Sequence, residues 1–150
     1  LYFTEQWIGA PGNFAGDFSW HIKNLVIGAS RNWCKTVLEW NLAADPKQNP
    51  HTDGGCTECL GALTISGDEI KRNVSYYIIG QVSKFIPTGS VRIEASSTND
   101  QVHVVAFKTP TGRKALLLLN KSKESVFTLN FEQKKFNFTL PEKSCSTIVW

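Results

Sequence analysis

The sequence predicts two structural classes in one chain, an α/β layer followed by an all-β antiparallel sandwich. Two observations carry this reading. Before Pro87, two stretches repeat their apolar residues with a period of about 3.6, each beside a short apolar run. Beyond Pro87-Thr88-Gly89 the period changes to 2 and helical patterns stop. The domains are therefore expected at residues 1–87 and 88–150. With 150 residues, 41% of them hydrophobic and 19% charged, the chain has apolar material for one or two small cores and none of the composition of a disordered segment.

The opening run Leu1-Tyr2-Phe3-Thr4-Glu5-Gln6-Trp7 reads as a strand with a carboxylate near its end. A strand needs neighbours to satisfy its N–H and C=O groups, so a chain opening in one is expected to be a fragment or to be completed by another chain. Gly9-Ala10-Pro11-Gly12-Asn13 is turn chemistry. Asp17 is then expected to cap a helix carrying Phe18, Ile22, Leu25, Val26 and Ala29 on one face, closed by Asn32 and Trp33. The run from Thr36 to Ala44 is short and mostly apolar, which suits a strand covered on both faces. Strand, helix and strand make a right-handed parallel crossover.

From Asp45 to Gly61 the chain is a polar loop with Pro46, Pro50, Gly54 and Gly55, and loops of that length are more often functional than accidental. Ala62-Leu63-Thr64-Ile65 is a short strand before a turn at Ser66-Gly67-Asp68. A second helix is expected from Asn73 or Val74 to Phe85, with Val74, Tyr77, Ile78, Val82 and Phe85 on one face, until Pro87 stops it. In the second half, strands are expected around Val91, Ile93 and Ala95, around Val102, Val104 and Ala106, and from Ala115 to Leu119. Thr109-Pro110-Thr111-Gly112 is a turn between two of them. Phe127, Leu129 and Phe131 with Phe136, Phe138 and Leu140 form a hairpin whose aromatics belong to the core, and Ser146 to Trp150 is a last strand.

Charge and composition exclude several functions. The net charge of +3 comes from scattered Lys and Arg, with no basic block longer than Lys134-Lys135, so no nucleic-acid surface is expected. No apolar run approaches the ~20 residues that span a bilayer. The three histidines, His21, His51 and His103, are too scattered for a metal site or a nucleophile pair. Cys56-Thr57-Glu58-Cys59 has the spacing of half a zinc site, a redox pair, a local disulfide or two free thiols. The missing half of the ligand set argues against metal, flanking glycines favour a tight loop staple, and no cofactor is expected.

Glu5-Gln6-Trp7 and Glu39-Trp40-Asn41 close two successive parallel strands, and barrel enzymes build their sites at the carboxyl ends of strands. Indoles offer stacking faces to a pyranose, while carboxylates and amides bind its hydroxyls, so this combination suits a saccharide.

Phe3-Thr4-Glu5, Glu39-Trp40-Asn41-Leu42-Ala43, Tyr76-Tyr77-Ile78-Ile79-Gly80-Gln81-Val82-Ser83-Lys84-Phe85-Ile86 and Pro87-Thr88-Gly89-Ser90-Val91-Arg92-Ile93 resemble, in that order, glycoside hydrolase family 30. That family holds the lysosomal glucosylceramidase and bacterial endo-β-1,6-glucanases. The resemblance implies the last two βα units of a (β/α)8 TIM barrel followed by an antiparallel β-sandwich. It implies Glu5 as the nucleophile of a retaining β-glucosidase-type enzyme, Trp40 as the platform of the sugar subsite, and Asn41 beside it; Trp7 is the further candidate for substrate contact.

The family's acid/base glutamate lies on a barrel strand outside this sequence, so the chain alone is expected to be inactive unless the N-terminal barrel portion, from the same parent protein or a companion chain, completes it. Glu39 is expected in a supporting or structural role. The loop Gly54-Gly55-Cys56-Thr57-Glu58-Cys59 looks like bacterial members that degrade polysaccharides, which implies a β-glucan or β-glucoside substrate and a secreted, periplasmic or cell-surface location. The alternative from a different class is a non-catalytic sandwich that binds carbohydrate or supports a barrel.

Overall fold

A computed structural model describes residues 1–150, and the chain divides into two compact units, Leu1–Lys84 and Phe85–Trp150. In the first, β1 (Phe3–Trp7) and β2 (Val37–Trp40) pair in parallel. Phe3 lies opposite Val37, Gln6 opposite Glu39 and Trp7 opposite Trp40, with an irregularity between Phe3 and Gln6.

The connection is helical, but its start and interior differ from expectation. Helix α1 spans Phe14–His21, and Asn13, not Asp17, is its N-cap. Asn13 Oδ1 accepts the Gly16 N–H at 2.8 Å, while Asp17 Oδ2 accepts the Asn13 N–H at 2.6 Å. The two side chains thus satisfy each other's end of the turn, the logic of a capping box, with the Asp17 charge facing the positive end of the helix. From Ile22 to Ala29 the ladder widens to a π-helix, and Asn24 Nδ2 bonds the Trp20 carbonyl where the two ladders meet. Nothing in the local residue pattern announced that widening. Its apolar face does match the expected one, since Ile22, Leu25, Val26, Ile27 and Ala29 are buried.

The expected strand from Thr36 to Ala44 breaks after Trp40, and β3 (Ala43–Ala44) joins a different sheet. There it pairs in parallel with β4 (Leu63–Ser66), which turns at Gly67 into β5 (Glu69–Arg72). Strand β5 was not expected, because its four residues are all exposed and carry no apolar alternation; the turn at Gly67, with φ +58°, brings it back alongside β4. Nor is β2 covered on both faces within this chain: Leu38 and Trp40 are exposed, whereas the Glu39 side chain is buried on the face that meets His21. Helix α2 (Val74–Ser83) buries Val74, Ser75 and Ile78, and Phe14 of α1 meets Tyr77 edge to face at 5.5 Å between ring centroids.

The second unit holds a four-stranded antiparallel sheet in the order β11-β8-β7-β6 and a separate hairpin, β9-β10. The sheet strands are β6 (Val91–Ile93), β7 (Val102–Lys108), β8 (Lys114–Asn120) and β11 (Cys145–Val149); the hairpin strands are β9 (Ser125–Phe131) and β10 (Lys134–Leu140). Val102, Val104, Ala106, Leu116, Leu118 and Leu140 form the core between the layers, and Phe127, Leu129, Phe138 and Trp150 pack against it. Sheet and hairpin make the two layers of a β-sandwich. Phe136 departs from expectation: it stands opposite Leu129 in the half of the hairpin nearer the turn and is exposed. No helix of the chain is long and apolar enough to cross a membrane.

Candidate active site

Side chains alternate across a strand, and directly opposed residues of neighbouring strands point the same way. The register of Trp7 opposite Trp40 therefore puts Trp7 and Trp40 on one face of the β1–β2 pair, and Gln6 and Glu39 on the other; Glu5 lies within the irregularity that precedes Gln6. Trp7 and Trp40 are 42% and 44% exposed, so the first face presents two indoles to solvent, and Glu5 is exposed on the same strand as Trp7. Asn41, which follows Trp40 through a cis peptide, leaves the ladder. Its carbonyl accepts the Ala62 N–H at 2.8 Å, and its side-chain oxygen is buried beside Gly61.

On the opposite face, Glu39 Oε1 accepts a hydrogen bond from His21 Nδ1 at 2.7 Å, with the two side chains 4% and 5% exposed. Glu39 thus sits on the face of β2 opposite Trp40, bound to the crossover helix. His21 was not foreseen as its partner. The two residues lie eighteen positions apart, and only the crossover helix brings them together.

Two loops leave the carboxyl ends of β1 and β2 and are fastened to each other. Gly9 and Cys59 form an antiparallel bridge, Ala10 N–H donates to the Glu58 carbonyl at 2.7 Å, and Leu60 N–H to the Ile8 carbonyl at 2.8 Å. Cys56 and Cys59 are joined in a disulfide. The long loop begins at Asp45, whose Oδ1 accepts the N–H groups of Asn49 and Lys47; those bonds, the Asn49 one foremost, hold its carboxyl below the usual 3.8. It ends at Gly61, whose carbonyl accepts the side-chain amide of Asn73 at 2.8 Å; the same amide donates to Thr64 Oγ1, also at 2.8 Å. No three His, Cys, Asp or Glu side chains are arranged to hold a metal ion.

Sequence reasoning missed Gly61, Asn73 and His21 as parts of this framework. The Gly61 signal was present, since a glycine after a polar loop often marks a close backbone approach. An ideal Cβ there would lie 2.6 Å from Asn41 Oδ1 and 2.9 Å from both Ala44 N and the Leu63 carbonyl oxygen.

Comparison with known proteins agrees with this architecture. Residues 89–148 match the glycosyl hydrolase family 30 beta sandwich domain. Across 99% of its length the chain is 29% identical to endo-1,6-beta-D-glucanase neg1 of Aspergillus fumigatus, covering 31% of that protein. It is 30% identical to the lysosomal acid glucosylceramidase of Mus musculus over 75% of this chain and 22% of that protein. The solved structure of the endo-beta1,6-glucanase BT3312 covers all of the chain with a TM-score of 0.87 and 32% identity, the match being 35% of that chain. The protein belongs to glycoside hydrolase family 30. It spans about a third or less of the length of these relatives.

Proposed function

We propose that this chain is the C-terminal part of a retaining β-glucosidase-type hydrolase, with residues 1–87 supplying the last two βα units of a (β/α)8 barrel. The observation that carries the proposal is the parallel register of β1 and β2, which sets Trp7 beside Trp40 at their carboxyl ends with the exposed Glu5 two residues before Trp7. In this reading Glu5 attacks the anomeric carbon and the glycosidic bond breaks, leaving a covalent glycosyl-enzyme. A second carboxyl group, about 5–5.5 Å from the first in retaining enzymes, protonates the leaving oxygen and later deprotonates the attacking water. Trp40 and Trp7 stack on the C–H faces of the sugar, and Asn41, its side-chain oxygen turned to Gly61, donates its amide N–H to a hydroxyl.

Glu39 is turned away behind the sheet, so the acid/base group comes from the remainder of the parent protein or from a companion chain. The substrate class is a β-glucoside or β-glucan. The proteins it resembles, two named as β-1,6-glucanases and one as a glucosylceramidase, make a β-1,6-glucan the first substrate to try. The Cys56–Cys59 disulfide supports a secreted, periplasmic or cell-surface location. A carbohydrate-binding role for the sandwich alone has less support, because Phe127, Phe138 and Trp150 pack against its own core.

The test uses the intact parent. It should hydrolyse an aryl β-glucoside or β-1,6-glucan, lose that activity in Glu5→Gln, and carry a cyclitol epoxide label on the peptide containing Glu5. Full activity in Glu5→Gln, or a label on another carboxylate, overturns the assignment.

A further inference from the structure

The buried pair behind the sheet has a geometry that reaches the site face. Glu39 precedes Trp40 directly, and its register partner Gln6 lies between Glu5 and Trp7, so the Gln6–Glu39 layer backs the surface that carries Trp7 and Trp40. His21 ends α1 at the point where the helix widens, and its ring is fixed on one side by Glu39 and on another by the edge of Trp20, 5.2 Å away between ring centroids. Glu39 uses one carboxylate oxygen on His21; the other, Oε2, is buried with no hydrogen-bond partner. A carboxyl group enclosed with half its acceptors unmet is an expensive way to join a strand to a helix, since a well-packed apolar pair does so without that desolvation cost. A site that keeps such a pair is better explained by orientation than by stability.

Building on the glycosidase reading above, we propose that His21 and Glu39 are positioning residues: their bond fixes the end of β2 so that Trp40 stands at a set angle to Glu5. Neither touches the sugar. The pair acts through one covalent step, from the Glu39 backbone to Trp40. Loosening it lets the indole tilt, which weakens the contacts made as the sugar flattens at the transition state more than those made in the ground state. Supporting partners of site residues commonly carry a 10–100-fold effect, and that is the size expected here.

The experiment measures kcat, KM and thermal unfolding in the intact parent for Glu39→Ala, Glu39→Gln, His21→Ala and the double Ala variant, with kcat counted per Glu5 labelled by the cyclitol epoxide. Glu39→Ala and His21→Ala should each lower kcat by about 10–100-fold with KM changed by less than about threefold. The double variant should be no worse than the worse single one, because both remove the same bond. Glu39→Gln keeps an acceptor for the His21 N–H and should restore kcat to within about fivefold of the parent. If Glu39→Ala does not fold, His21→Ala and Glu39→Gln still decide the question. Ala variants that lose thermal stability but keep kcat per labelled enzyme overturn the positioning role, as does a double variant whose losses multiply. A parent that neither hydrolyses a β-glucoside nor takes the label on Glu5 overturns the glycosidase reading instead.

Discussion

Gly61 and Gly80 are chemically identical residues with opposite tolerances, and their surroundings explain the difference. A methyl group at Gly61 would press on two backbone atoms, at 2.9 Å each, and on Asn41 Oδ1 at 2.6 Å; at Gly80 it would meet nothing within 4 Å. Gly61→Ala should therefore cost about 1–3 kcal/mol in urea unfolding, the usual range for overpacking. Gly80→Ala, inside α2, should gain up to about 1 kcal/mol from helix propensity. Cys145 offers a second test at this scale. Burial pushes its thiol from 9.0 up to about 12, so the folded chain holds that proton more tightly than the unfolded one. Its contribution is intact below pH 9 and declines as pH rises toward 12, by at most about 1.4 kcal/mol per pH unit. Unfolding of the parent sequence and of Cys145→Ala, compared at pH 8 and pH 10.5, should show the steeper loss in the parent sequence. Glu5, Trp7 and Trp40 could be singled out from residue type and order, because a carboxylate and indoles after apolar runs already suggest sugar chemistry. His21 could not, because a lone histidine within an apolar helical stretch gives no sign of a partner eighteen residues away.

Among the elements, the α1 start shows why caps are hard to place by residue type alone. Asn13 and Asp17 are both good N-cap residues, and each serves the same turn, so the pattern permits either assignment until the backbone is seen. Asn13→Ala should destabilise by about 1 kcal/mol, and Asp17→Ala by less, because it leaves the bond from Gly16 to Asn13 in place. The long loop behaves as an element of its own through its disulfide and the bridge to Gly9. Replacing Cys56 and Cys59 by Ser should cost roughly 2 kcal/mol on a loop-closure argument. Amide exchange at Ala10 and Leu60, which hold the two loops together, should quicken in the same variant while the amides of β8 keep their protection. Helices and buried strands were legible because one stripe or one run of apolar residues must face a core. Strand β5 and the break in β2 were not, since each is decided by a pairing partner and not by the residues of the strand itself.

For the molecule as a whole, the prediction concerns what 150 residues can do alone. In the proposed mechanism Glu39, the carboxylate on β2, is held by His21, so the group that protonates the leaving oxygen is supplied from outside these residues. The isolated chain should show no hydrolysis of an aryl β-glucoside above background, because losing the general acid alone removes about 10²–10⁴-fold. Turnover by the purified chain that disappears in Glu5→Gln would contradict this. The change of apolar period near Pro87 marks the passage from an α/β unit to a sandwich, and the compact units meet at Lys84 and Phe85.

Periodicity and residue type reach as far as local physics does. They pick out the two helices, the sandwich strands, the turn at Gly67 and the carboxylate and indoles near the strand ends, because burial and backbone preference act over a few residues. Pairing is set elsewhere. That Trp7 stands opposite Trp40, that Glu39 faces backward to His21, that the loops are tied at Gly9 and Cys59, and that Gly61 has no room for a methyl group all depend on contacts between segments distant in sequence. Such contacts form only when the chain closes on itself, and no stretch of residues read alone carries them.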